Sequence, residues 1–173
     1  MYLSVATRPD ITYALSCLSQ FSQFPKMIHL GALKRILRYL KGTINYRIQY
    51  GRASSIKGIR CKTDASWDST KDAKSFSGLL LYRNGDLIHW RSKKQGTVAL
   101  STTESELDSI LDGTKELIWM SEILAELGRC DDTYRELKCD NLNAVKLANG
   151  GNSKTRTKLL NRKCHFIKEN VKN

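Results

Sequence analysis

Proline is nearly missing from this 173-residue chain, at two residues, and glycine is ordinary at eleven. Long disordered tracts, which draw on both, are therefore not expected. No stretch approaches about eighteen uninterrupted apolar residues, so nothing is expected to span a membrane. The amino terminus, M-Y-L-S-V-A-T-R-P-D, lacks the charged-then-apolar order of a signal peptide and reads like the inside of something longer. The five cysteines (Cys17, Cys61, Cys130, Cys139, Cys164) are odd in number, and no two share a C-x-x-C spacing. That argues against a zinc site and against a disulfide framework, and leaves reduced thiols in an intracellular protein that is not secreted. Repeats, low-complexity tracts, a G-x-S-x-G block and a Walker A block are all missing. His29, His89 and His165 follow no metal-ligand spacing, and Ser101-Thr102-Thr103 has no base beside it. Acids are short against bases, 17 Asp+Glu to 29 Lys+Arg, which gives +12 and a pI near 9.6. Such an excess favours a polyanionic partner, because each phosphate neutralised releases a condensed counterion.

What is present divides at a polar connector, Gly51 to Gly58. Before it, residues 10 to 42 place Leu15, Leu18 and Phe21, then Leu33, Ile36, Leu37 and Leu40, at three- and four-residue steps, the period of a helix face. Pro9 suits a helix start, and Pro25 suits a break between two helices. The second of these carries Lys34, Arg35, Arg38 and Lys41; across residues 1 to 50 seven bases face one acid, Asp10. This basic face is equally a solvated surface and a clamp on a nucleic-acid backbone.

After the connector the period changes. Short apolar runs at 59–63, 76–82 and 87–91 predict strands, with N-G-D at 84–86 marking a hairpin. A further extended piece is expected at 98–101, then a long helix over about 102–127 capped by Ser101, Thr102 or Thr103 and ended by Gly128. A fourth strand over 134–139, a helix over 142–148 and an amphipathic helix over 157–171 complete the reading. The sum is an α/β domain with a mixed sheet. Trp67, Trp90 and Trp119 read as core residues, with Trp67 alternatively lining a groove.

Three acids stand out by position. Asp64 ends the first strand in T-D-A-S-W, Glu106 lies in the first turns of the long helix in S-T-T-E-S-E-L, and Asp140 ends the fourth strand in K-C-D-N. Each alone is most simply a turn, a cap or a dipole partner. Together, at the ends of neighbouring strands and a facing helix, they can converge. Crowded carboxylates repel unless a cation sits among them, and hard divalent ions prefer such oxygens.

The order of blocks resembles a known family. T-R-P-D-I-T-Y-A and H-L-G-A-L-K-R-I-L-R-Y-L-K-G-T are similar to the end of a copia-type retrotransposon reverse transcriptase. T-D-A-S-W, K-S-F-S-G-L-L-L, I-H-W-R-S-K-K-Q, V-A-L-S-T-T-E-S-E, C-D-N and R-T-K…H-F-I-K-E resemble successive blocks of the ribonuclease H domain in the same Pol polyproteins. The likeness covers nearly the whole chain. It implies an end of reverse transcriptase over 1–50, as an N-terminal helical appendage. Over 58–173 it implies a ribonuclease H-like domain, a mixed sheet flanked by helices. The activity implied is cleavage of RNA in an RNA–DNA hybrid by two Mg²⁺ ions, with Mn²⁺ as a substitute. Asp64, Glu106 and Asp140 match the first three acids of the family's four-carboxylate site, with Glu104 as the rival to Glu106. Ser92, Lys93, Lys94 and Gln95 fall where the chain would approach the hybrid, and Lys34, Arg35 and Arg38 form the second expected nucleic-acid contact. The implied partners are the hybrid and the rest of Pol, reverse transcriptase and integrase, in a cytoplasmic virus-like particle or the nucleus. The family's fourth acid lies in an A-D-x-x-T-K block, in a last strand and helix beyond Asn173, so a three-acid centre of weakened metal affinity is expected. Asn161 stands where copia-type chains carry Asp, and Leu159 where they carry His.

Overall fold

The computed structural model describes residues 1–51, 57–67, 72–129, 134–150 and 158–171. Four strands form one mixed sheet: β1 (Ile59–Ser66), β2 (Phe76–Arg83), β3 (Asp86–Lys94) and β4 (Arg135–Lys138), in the order β3-β2-β1-β4. The first three are an antiparallel meander, and β4 runs parallel to β1. The β2–β3 hairpin turns where Asn84 and Gly85 both adopt positive φ, 51° and 90°, which a two-residue turn of matching twist requires.

Strand β1 alternates. Ile59, Cys61 and Thr63 are buried, while Lys62, Asp64 and Ser66 face the other way. Against the buried face lies α4 (Thr102–Glu126). Gly113 permits the approach: a Cβ there would stand 2.5 Å from the Thr63 methyl and 3.2 Å from Cys61 Sγ. One half of the core is therefore Ile59, Cys61, Leu79, Leu81, Leu117 and Leu124, between sheet and helix. The other half is Leu107, Ile110, Ala144, Ala148, Cys164 and Ile167, where α4 meets α5 (Leu142–Ala148) and α6 (Lys158–Val171). Fully burying an aliphatic side chain such as Leu81 contributes about 1.5–3 kcal/mol. This is a ribonuclease H-like arrangement: a mixed sheet flanked by helices, with a helical N-terminal segment added.

That segment comprises α1 (Tyr2–Ala6), a 3₁₀ turn at Pro9–Ile11, α2 (Thr12–Ser19) and α3 (Met27–Gly42), with Pro25 in the break between the last two. Arg8 is its clasp. The guanidinium pairs with Asp10 at 2.7 Å and donates to the Thr43 carbonyl and hydroxyl at 3.1 and 2.6 Å. The segment docks on the sheet face opposite α4. Trp90 Nε1 donates to the Ser4 carbonyl at 2.6 Å, and Tyr13 meets Phe76 edge-on.

The extended piece at 98–101 joins no ladder among the described residues and runs into the α4 cap, with Val98 and Leu100 exposed. One expectation needs correction. Of the three tryptophans only Trp90 is core. Trp67 and Trp119 are half exposed, Trp67 held by its Nε1–H on the Ala99 carbonyl at 3.2 Å. Much of the expected connector, residues 52–56, lies outside the described residues, as do Cys130 and the 151–157 stretch.

Candidate active site

Three elements deliver the acids. Asp64 sits near the carboxyl end of β1 on its open face. The register lines it up with Gly78 of β2 and Ser92 of β3 in one row across the sheet. The middle place of that row holds a glycine, and a cleft of about 790 Å³ opens there. Tyr13, Lys62, Asp64, Trp90, Ser92 and Asp140 are among its lining residues.

Glu106 comes from α4. Ser101 starts the helix, its hydroxyl accepting the Glu104 N–H at 3.2 Å. The Glu104 carboxylate turns back to accept the Leu100 N–H at 2.9 Å. Glu104 is thus spent on the helix start, and Glu106, two residues on, points inward and is 6% exposed. Its carboxylate accepts the backbone N–H of Ala65, next to Asp64, and the Cys139 thiol at 3.5 Å, next to Asp140. Asp140 follows β4 at the surface. Its neighbour Asn141 caps α5, accepting from the N–H groups of Asn143 and Ala144 at 3.0 Å each, which fixes where the chain leaves the sheet.

The electrostatics follow from this crowding. Burial holds the Glu106 carboxyl above the usual carboxylate range. The Ala65 N–H and the Cys139 thiol pull it down, and the charges of Asp64 and Asp140 push it up further. Ligand atoms of Glu106, Cys139 and Asp140 all lie within 4.8 Å of one another. Clustered carboxylate oxygens with repelling charges are a donor set that fits Mg²⁺ or Mn²⁺. Cys139 is the member that sequence reasoning passed over as one more reduced thiol. Its signal was there in K-C-D-N, a thiol directly before an acid at a strand end. Burial pushes this thiol up to about 11, the Asn141 N–H opposing and the Glu106 and Asp140 carboxylates adding to the rise. Its S–H donates to the Glu106 carboxylate.

The expected nucleic-acid contacts are dispersed. Ser92 lines the cleft with Asp64, and Lys93 is exposed. The Lys94 ammonium is engaged by Asp72 at 2.7 Å and by Gln20 at 2.8 Å. Gln95 does not face outward as expected: it is buried, its amide turned in toward Ser77 and Ser105. Lys34, Arg35 and Arg38 are exposed on α3, which packs on α2.

A ribonuclease H-like domain in which Glu106 and Asp140 come together, with Asp64 lining the same cleft as Asp140, is a class, and relatives narrow it. The chain is 38% identical over 172 residues to the retrovirus-related Pol polyprotein from transposon TNT 1-94 of Nicotiana tabacum, 99% of this chain and 13% of that protein. It is 39% identical over 166 residues to the Pol polyprotein from transposon RE1 of Arabidopsis thaliana, 95% of this chain and 11% of that one. It is also 44% identical over 122 residues to secreted RxLR effector protein 161 of Plasmopara viticola, 70% of this chain and 85% of the effector. No family model and no solved structure matches. The chain belongs to the retrovirus-related Pol polyprotein family of transposons, as its likeness to copia-type elements implied. It spans a small part of those polyproteins, and no helix among the described residues is long and apolar enough to cross a membrane.

Proposed function

We propose that the chain carries the ribonuclease H activity of Pol, cutting the RNA strand of RNA–DNA hybrids during reverse transcription. The observation that supports this reading is the meeting of Glu106 with Ala65 and Cys139, the neighbours of Asp64 and Asp140, which both line one cleft. Asp64, Glu106 and Asp140 would hold the divalent ions, which supply an activated water and charge stabilisation at the scissile phosphate. The chain's own residues fix the carboxylates: the Ala65 N–H and Cys139 thiol orient Glu106, and the Asn141 cap sets Asp140. Residues 1–50 then represent the end of reverse transcriptase and 58–173 the nuclease domain, acting beside reverse transcriptase and integrase in a virus-like particle or the nucleus. Duplex preference would come from groove shape and 2′-hydroxyl contacts, with little base specificity.

A second reading is binding without cleavage, favoured by the net charge of +12 and the exposed Lys34, Arg35 and Arg38. A labelled RNA–DNA hybrid with Mg²⁺ or Mn²⁺ separates the two. Metal-dependent cleavage is expected, lost by about a hundredfold or more in Asp64→Asn, since the lost ligand serves the ions themselves. Salt-sensitive hybrid binding with no cleavage would select the second reading. Equal cleavage of single-stranded RNA would sink the first.

A further inference from the structure

The residue after β3 ties the sheet to the helix that carries Glu106. Gln95 is 8% exposed. Its backbone N–H donates to the Ser75 carbonyl at 2.8 Å. Its side-chain Nε2 donates twice, to Ser77 Oγ at 2.8 Å and to the Ser105 carbonyl at 2.9 Å. One side chain thus joins the end of β3, the start of β2 and the first turns of α4. Ser105 is itself fully buried, and its carbonyl belongs to the peptide unit that leads into Glu106. Fixing that peptide fixes the Glu106 backbone, from which the carboxylate must reach both the Ala65 N–H and the Cys139 thiol.

We propose that Gln95 is a positioning residue for the acidic centre: its amide fastens the first turns of α4 to β2 and so sets where the Glu106 carboxylate stands. This rests on the reading that Asp64, Glu106 and Asp140 hold divalent ions. The amide is suited to the task. It supplies two N–H donors without charge, whereas a carboxylate would add repulsion and a lysine would neutralise the centre in place of the metal. Among the described residues the donors alone are engaged, for Oε1 is buried and meets no hydrogen-bond partner there. An unpaired buried oxygen costs stability. A Gln95→Met variant keeps the volume, loses two hydrogen bonds and loses that orphan as well. The Ser105 carbonyl keeps its partner within the helix. Overall stability should therefore change little, while the position of Glu106 loosens.

The test is Mn²⁺ binding to the 173-residue chain, followed by the electron-paramagnetic signal of free Mn²⁺, beside thermal melting. Gln95→Met is expected to bind Mn²⁺ about tenfold more weakly, the usual scale for losing a residue that orients a metal ligand, with nearly unchanged Tm. Leu124→Ala, in the core at the far end of α4, should lower Tm and leave Mn²⁺ affinity alone. A purely structural role for Gln95 gives the opposite split, a lower Tm with wild-type affinity, and that result overturns the proposal. Should Gln95→Met not fold, Ser77→Ala removes one of the two acceptors; it should weaken Mn²⁺ in the same direction by a smaller factor, and unchanged binding overturns the proposal again. A wild-type chain that binds no Mn²⁺ takes down the metal-site reading and this inference with it; a wild type that binds, beside an unaffected Gln95 variant, takes down the inference alone.

Discussion

Helices α3 and α4 carry the same kind of apolar spacing and meet different fates. Over its 25 residues α4 buries nine, among them Leu107, Ile110, Leu117 and Leu124. Over its 16 residues α3 buries only Ile36, and Met27, Ile28, Leu30, Leu33 and Leu37 are exposed. A helical period says which residues share a face. It does not say what covers that face. For α4 the cover is the sheet on one side and α5 and α6 on the other. For α3 the described residues offer α2 and little more. Glu106 grows from the covered helix and is buried there. The basic residues Lys34, Arg35 and Arg38 ride on the uncovered one and are exposed.

The largest effect that tests this contrast is a pair of truncations. Leu107→Ala, at a fully buried site of α4, should cost about 2–5 kcal/mol in urea unfolding through lost contacts and the cavity left behind. Leu37→Ala, 57% exposed on α3, should stay within about 0.5 kcal/mol. Equal costs would mean that the α3 stripe is covered in solution, and the contrast would fall.

A smaller effect concerns the seam between the two regions. Trp90→Phe keeps the ring against the N-terminal segment but removes the N–H bond to Ser4, and should cost about 1 kcal/mol. One cooperative transition by fluorescence and by far-ultraviolet dichroism is expected in both proteins. Two separate transitions in the variant would show that the first fifty residues are held to the sheet by that bond.

The sequence made the elements of the second region legible because each had a local cause: Asn84-Gly85 for the hairpin, Ser101 for the α4 start, Gly128 for its end. It made the three acids legible as strand-end and helix-start residues, and their likeness to a family singled them out. Glu104 and Glu106 stayed rivals, because two residues of separation along a helix is about 200° of rotation, and only the packed helix shows which side faces the sheet. Gln95 was misread for a related reason. Its block, S-K-K-Q, is polar throughout, yet the hairpin aims Lys93 outward and ends β3 so that the next side chain enters the junction with α4. Trp67 and Trp119 looked like core by residue type alone, and type does not fix depth for so large a side chain.

The smallest effect, and the one whose sign says most about the covered helix, is the stability of Glu106→Gln without metal. Burial and the neighbouring charges raise the folded pKa of Glu106 above its unfolded value of about 4.3. The fold therefore prefers the protonated acid. The contribution to stability is fully present below the unfolded pKa and is lost as pH rises through the folded pKa. Above the unfolded pKa the wild type, in a chelator, gives up stability that it holds in acid, and the glutamine variant does not. Glu106→Gln should accordingly melt higher than wild type at pH 7, with the gap closing toward pH 4. Adding Mg²⁺ should stabilise only the wild type, in proportion to the logarithm of one plus free metal over Kd, and narrow the gap from the other side. A gap that ignores pH would mean that the glutamine acts through packing and that Glu106 is not charged and crowded as its surroundings require. A gap that closes with acid but ignores Mg²⁺ would keep the electrostatics and remove the metal, leaving α4 a well-covered helix with an acid that serves no ion.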